Sequence, residues 1–173
     1  MSKPPPVPEL EFLKLSANHA ELVSKLSALG CPTPDIRQFA EHVGEAWFRL
    51  GEEHLNEAKS LLSSGCRRAV YSRAYYAAYN ASKGTRYLVK GIVSLKGDDH
   101  GKASMDLPDD FPDVEKWGQR LSALYENRLR ADYDNWLTTA KDLTSSPDDA
   151  VTEADAFVNE SRSYLNSKFG MKL

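Results

Sequence analysis

The chain has 173 residues, of which 41% are hydrophobic and 27% charged, with a formal net charge of −3; this is the composition of one globular domain able to bury a core. No apolar run approaches the ~18 residues that cross a bilayer. The segment Met1–Glu9 is Pro-rich and polar, without the apolar centre of a secretory signal, so a cytoplasmic protein with no membrane association is expected. Cys31 and Cys66 lack Cys-x-x-Cys spacing and are expected as free thiols.

Helical periodicity and punctuation divide the sequence further. Residues 1–8 read as a disordered tail and residues 9–173 as a single domain. The first predicted helix runs from about Glu9 to Leu29, with Leu15, Leu22, Leu26 and Leu29 on one face and Gly30 as its stop. The second opens at Thr33-Pro34-Asp35, an N-cap, a first-turn proline and an acid suited to the helix dipole. Its apolar stripe, Ile36, Phe39, Val43, Ala46, Leu50, Ala58, Leu61 and Leu62, reaches Gly65, long enough to span the molecule. The third, about Cys66 to Lys90, aligns Val70, Ala74, Ala77, Ala81, Gly84 and Leu88. Most of these are small, which lets another helix approach closely. Ile92–Pro112 reads as loop. The fourth helix starts near Asp113 and turns Val114, Trp117, Leu121 and Leu124 inward. The fifth opens at Ser146-Pro147-Asp148-Asp149 and runs to about Phe169 through Val151, Ala154, Val158 and Leu165. No strand pattern competes, so the expected fold is all-α, an antiparallel up-down bundle of about five helices.

Charge is segregated along the chain. Ala58–Gly97 holds no Asp or Glu but contains Lys59, Arg67, Arg68, Arg73, Lys83, Arg86, Lys90 and Lys96. A local positive field follows even though the total is negative. Within it Tyr71, Tyr75, Tyr76 and Tyr79 interleave with Arg67, Arg68 and Arg73. Single-stranded nucleic-acid surfaces use this combination, cations for the backbone and rings for the bases. Arg67, Arg68, Arg73, Tyr76, Lys83 and Arg86 are therefore RNA-contacting candidates. The plainer reading is that helical tyrosines pack in a core or an interface.

Arg128 is the most informative position. At about 100° per residue it continues the face of Val114, Trp117, Leu121 and Leu124, while Arg130 points away. An arginine on an apolar face needs a partner or a cleft. Asp132, one turn on, can pair with it and pin the end of the helix. A guanidinium held in a cleft would meet phosphate with its planar fork, and the two roles are compatible. Gly97–Ser104 has the wrong glycine spacing for a phosphate loop, and Ala103 stands where a metal-binding hydroxyl would be. His19, His42 and His54 share no ligand spacing, and no metal or cofactor is implied. His100 is expected in a solvated loop, titrating near neutrality.

Two segments resemble a known family. Ala69-Val70-Tyr71-Ser72-Arg73-Ala74-Tyr75-Tyr76-Ala77-Ala78-Tyr79-Asn80-Ala81 looks like the Tyr-Tyr-Ala helix of small prokaryotic HEPN proteins. Arg128-Leu129-Arg130-Ala131-Asp132-Tyr133 resembles the Arg-x-x-Ala-Asp-Tyr signature near the end of their fourth helix. The likeness covers about His54 to Leu165, and His100 falls where many relatives carry a histidine; the tail and first helix look like an addition. The resemblance implies an up-down bundle, commonly dimeric. It also implies a metal-independent endoribonuclease of toxin–antitoxin, phage-defence or CRISPR type, often encoded beside a nucleotidyltransferase-like antitoxin. Arg128, Asp132, Tyr133 and His100 would then form the catalytic site on single-stranded RNA. Arg128 would stabilise the phosphorane charge, Asp132 would orient it, and Tyr133 or His100 would handle the proton. The family's arginine is followed at short distance by a histidine; here Tyr133 stands in that range and no histidine does. Metal-free cleavage wants a group that activates the ribose 2′-hydroxyl near neutral pH, as imidazole does. The alternative is a catalytically silent helical adaptor that uses the same face for a protein partner.

Overall fold

The computed structural model describes residues 17–94, 99–134 and 143–171. Among them are six helices and no strand: α1 (His19–Ala28), α2 (Pro34–Ser63), α3 (Arg67–Lys90), α4 (Asp99–Met105), α5 (Val114–Tyr133) and α6 (Pro147–Phe169). The fold is the all-α bundle that periodicity predicts, with two departures. The first expected helix is described only from His19, and α1 buries none of its residues; the tail and residues 9–16 lie outside the described residues. The expected loop after α3 contains α4, a seven-residue helix. No described helix is long and apolar enough to cross a membrane.

α3 is the axis, packed against α2, α4, α5 and α6. Its small side chains explain why. Val70, Ala74, Ala77 and Ala81 are fully buried, and Leu88 is half-buried over Gly44 of α2. A Cβ on Gly51 would lie 3.0 Å from the Ala77 carbonyl oxygen, and one on Gly84 would lie 2.8 Å from the Phe48 ring. The α2–α3 contact is thus built where side chains are missing. This corrects the expected α2 stripe: Ala40, Val43, Gly44, Phe48, Gly51, Leu55 and Ala58 face inward, whereas Phe39, Ala46 and Leu50 are exposed. Glycines carry no hydropathy, so an apolar count misses the face they define.

The termini of the helices follow ordinary chemistry. Ser146 and Asp149 form a reciprocal capping box with Pro147 in the first turn of α6. Thr33 occupies the N-cap of α2 but makes no side-chain capping bond, so Pro34 marks that start unaided. α3 ends on Gly91 in the left-handed region (φ 71°), where a Cβ would also meet Ala20 at 2.5 Å. Trp117, Leu121 and Leu124 of α5 enter the main core with Phe111, Phe157, Val158 and Leu165. Cys31 and Cys66 are free and exposed.

Candidate functional site

The site begins as a seam between α3 and the end of α5. Arg68, Ser72 and Tyr76 lie one turn apart on α3, so they share a face. Arg68 donates through Nε to the Ala131 carbonyl (2.7 Å) and through Nη2 to the Asp134 carbonyl (2.6 Å). The Ser72 hydroxyl donates to Asp132 Oδ2 (3.2 Å). Arg128 Nη2 donates to the Tyr76 hydroxyl (3.3 Å). Three α3 side chains therefore fix the last turns of α5 in register, and with them Arg128, Asp132 and Tyr133.

Arg128 itself is only 15% exposed at its side chain, and Asp132 is 26% exposed. Nε of Arg128 lies 2.9 Å from Asp132 Oδ2, yet that N–H is a buried donor without a hydrogen-bond partner. The pair is held by charge rather than by an aligned bond. The guanidinium carbon sits 5.6 Å from the Tyr76 ring centroid and 5.4 Å from that of Tyr133, close enough for cation–π attraction to both. Tyr133 is 70% exposed. The guanidinium is thus engaged by the Tyr76 hydroxyl, the Asp132 carboxylate and the Tyr133 side chain, between two aromatic rings at the edge of the bundle.

His100 enters from the other side, and not from a solvated loop. It lies on α4, half-buried, with its ring stacked 4.6 Å from Tyr79 and 5.9 Å from Tyr125. Its Nδ1 is 2.8 Å from the Tyr75 hydroxyl, and its ring centroid is 6.1 Å from that of Tyr76. Tyr76 is the shared neighbour of Arg128 and His100. Burial, then the positive charge of Arg128, holds the His100 imidazole below its ordinary pKa; Asp99 opposes this and Lys83 adds to it.

What positions His100 is the residue before it. Asp99, 1% exposed, receives a two-pronged pair from Arg86 (3.1 and 2.9 Å), itself 1% exposed, and a hydrogen bond from the Tyr79 hydroxyl (3.0 Å). Burial would raise the Asp99 carboxyl, but the bonds and charge of Arg86, with Lys83 and Tyr79, hold it below the usual range. The Ser82 hydroxyl adds a bond to the Ala103 carbonyl (2.9 Å). This polar anchor ties α4 to α3.

The HEPN domain model matches residues 44–163. The chain belongs to the HEPN family. The matched span carries α3, α4, α5 and most of α6, hence every residue of the cluster described above, and leaves α1 outside. No curated protein sequence matches the chain.

Within this HEPN domain the basic residues of α3 divide by use. Arg86 is not a surface cation: it is buried on Asp99, and the expectation that it meets RNA is corrected. Arg68 is engaged on backbone carbonyls at the end of α5. Arg73 pairs through Nε with Glu57 (3.1 Å) and lies 3.2 Å from His54 Nδ1 through Nη1. Lys83, 14% exposed, sits 5.0 Å from the Trp47 ring centroid and 3.9 Å from Asp99, and its ammonium is held below the ordinary lysine pKa, first by burial. Arg67 is exposed. Tyr71, Tyr75 and Tyr79 are buried, as helical packing tyrosines are, while Tyr76 is half-buried at the site. Sequence reasoning missed Ser72, Tyr75, Asp99 and Tyr125 as members of the site. Asp99 and His100 are adjacent, but no sequence signal marks which acid of that cluster turns inward.

Proposed function

We propose that this HEPN domain takes single-stranded RNA by its phosphates at the Arg128 end of α5. Its setting would be toxin–antitoxin or phage defence, with a nucleotidyltransferase-like protein as partner and a second copy of the chain completing the groove. One observation carries the RNA reading: the Arg128 guanidinium is held, 15% exposed, between the Tyr76 and Tyr133 rings and oriented by Asp132. A planar fork of N–H groups suits a phosphate, and flanking rings suit bases. The setting and the partner rest on the family resemblance alone.

If the site cleaves, Arg128 meets the charge that develops on phosphorus and Asp132 orients the guanidinium, with Tyr133 as the group that can exchange a proton and His100 as a hydrogen-bonding neighbour. Tyr133 in the range where the family's histidine is expected supports the rival reading, a silent HEPN adaptor with the same surface.

The test is fluorescence anisotropy with a labelled single-stranded RNA across a salt series. Wild type should bind with an affinity that falls as salt rises. Arg128→Ala should stay folded and lose binding, and Arg128→Lys should also be defective because an ammonium lacks the fork. Arg130→Ala is the control, since Arg130 reaches outward to Asp134 at 3.5 Å. Wild-type binding in Arg128→Ala sinks the reading. Incubation of the protein with total RNA in a chelator then separates the alternatives: cleavage lost in Arg128→Ala identifies the nuclease, and binding without cleavage identifies the adaptor.

A further inference from the structure

We infer that Tyr75 is a positioning residue that fixes His100 as a neutral imidazole with its proton on Nε2, so that His100 offers the Arg128 site a hydrogen-bond donor to a phosphate oxygen and not a base. The proton assignment stands on the free protein; only the identity of the acceptor rests on the RNA reading above.

The assignment follows from where hydrogens can go. The Tyr75 hydroxyl lies 2.8 Å from His100 Nδ1. Tyr75 is 1% exposed, and among the described residues its hydroxyl has no other partner. Were Nδ1 the donor, the phenolic O–H would be a buried donor with nothing to meet, which is costly. The stable arrangement is Tyr75 O–H donating to the Nδ1 lone pair. Burial pushes the Tyr75 phenol far above its ordinary value, so its proton stays on oxygen. A neutral imidazole whose Nδ1 accepts carries its hydrogen on Nε2.

Ring orientation is fixed as well. Tyr79 of α3 and Tyr125 of α5 stack on His100, and Asp99 next to it is locked by Arg86. The groups that act on its charge come from every side: Lys83 from α3, Asp99 from α4 itself and Arg128 from α5. Two of the three are cations, so an imidazolium is disfavoured there. Nε2 has no partner among the described residues and is not one of the sealed, unsatisfied atoms. The His100 ring centroid lies 6.1 Å from that of Tyr76, whose hydroxyl accepts from Arg128.

Nitrogen-15 NMR of the histidine rings in the full chain tests this. At neutral pH, Nδ1 of His100 should resonate as a pyridine-type nitrogen and Nε2 as a pyrrole-type one, with the Tyr75 hydroxyl proton correlated to Nδ1. Tyr75→Phe should move both nitrogens toward the averaged positions of a free neutral imidazole. A protonated Nδ1 in the wild type, or nitrogens unchanged in Tyr75→Phe, overturns the assignment. The hydroxyl correlation needs no variant, so the wild type suffices should Tyr75→Phe fail to fold. A short single-stranded RNA should then shift Nε2 and leave Nδ1 nearly still. Arg128-dependent RNA binding without movement of Nε2 removes His100 from the ligand. No RNA binding at all overturns the proposed function and the phosphate acceptor together, while leaving the Tyr75–His100 assignment to stand on the free protein.

Discussion

Asp99 and Arg128 each belong to an acid–arginine pair, and burial makes the two pairs unlike. Arg86 and Asp99 are both 1% exposed, so Asp99→Asn should strand a buried guanidinium and cost about 3–5 kcal/mol, read by urea unfolding. Arg128→Ala is milder. Asp132 keeps the Ser72 hydroxyl and solvent, so the loss should stay within about 1 kcal/mol. A melt of Arg128→Ala as depressed as that of Asp99→Asn would mean that Arg128 is chiefly structural. The pH response follows with its sign. The folded Asp99 carboxyl titrates below its unfolded value, so the stability it confers is complete above about pH 4 and is lost as pH falls through the folded value. His100 is also held low, so the fold disfavours its protonation, and acid below about pH 6.5 erodes stability through it as well. Chemical denaturation at stepped pH should show both declines, the upper one absent in His100→Gln.

The end of α5 is an element held by another element's side chain. Arg68 satisfies the Ala131 and Asp134 carbonyls, which a helix C-terminus otherwise leaves to water. Arg68→Ala should cost about 1 kcal/mol. Its sharper mark should be faster amide exchange confined to the last turn, where Asp132 and Tyr133 sit, with the α3 core amides unchanged. Exchange unchanged throughout would mean that the turn holds itself. How legible each element is in sequence tracks where its stability comes from. Trp117, Leu121 and Leu124 repeat at helical spacing, so α5 and the inward face that Arg128 extends can be read directly. The face of α2 cannot, because Gly44 and Gly51 define it by absence while exposed Phe39 and Leu50 carry the hydropathy. α4 is invisible to periodicity for another reason. Seven residues complete barely two turns, and its anchor is an ion pair to Arg86, across the segment that links α4 to α3. The same logic hid half the site. Arg128 and Asp132 share one helix and pair by spacing, whereas Tyr75 and Ser72 become site residues only when α3 meets α4 and α5.

At the scale of the molecule, the run of cations from Ala58 to Gly97 is a smaller electrostatic asset than its count of charges suggests. Arg86 is neutralised inside, Arg73 faces Glu57, Lys90 pairs with Asp106 at 2.8 Å, and Arg68 is spent on carbonyls. Among the described residues near the α3–α5 seam, Arg67 is exposed, and Arg128, paired with Asp132, presents its guanidinium between two rings. A single copy would thus meet few phosphates. With roughly two neutralised, the slope of log affinity against log salt would be only about −1.4 for a single strand. The proposed two-fold assembly changes this, because isologous packing that brings two α5 ends together doubles the guanidinium count in one groove. A dimeric mass by light scattering at tens of micromolar, together with a salt slope near −2.8 (about four phosphates), is therefore the expected pair of results. The slope alone could be steepened by Lys or Arg side chains elsewhere on one copy, and the mass alone could report a contact far from the site. Arg128→Ala separates these cases. It should leave the dimer mass intact while halving the residual slope or abolishing binding, because it removes one cation from each half of the groove. A monomer whose slope is already steep, and insensitive to Arg128→Ala, would place the RNA on some other face of the domain.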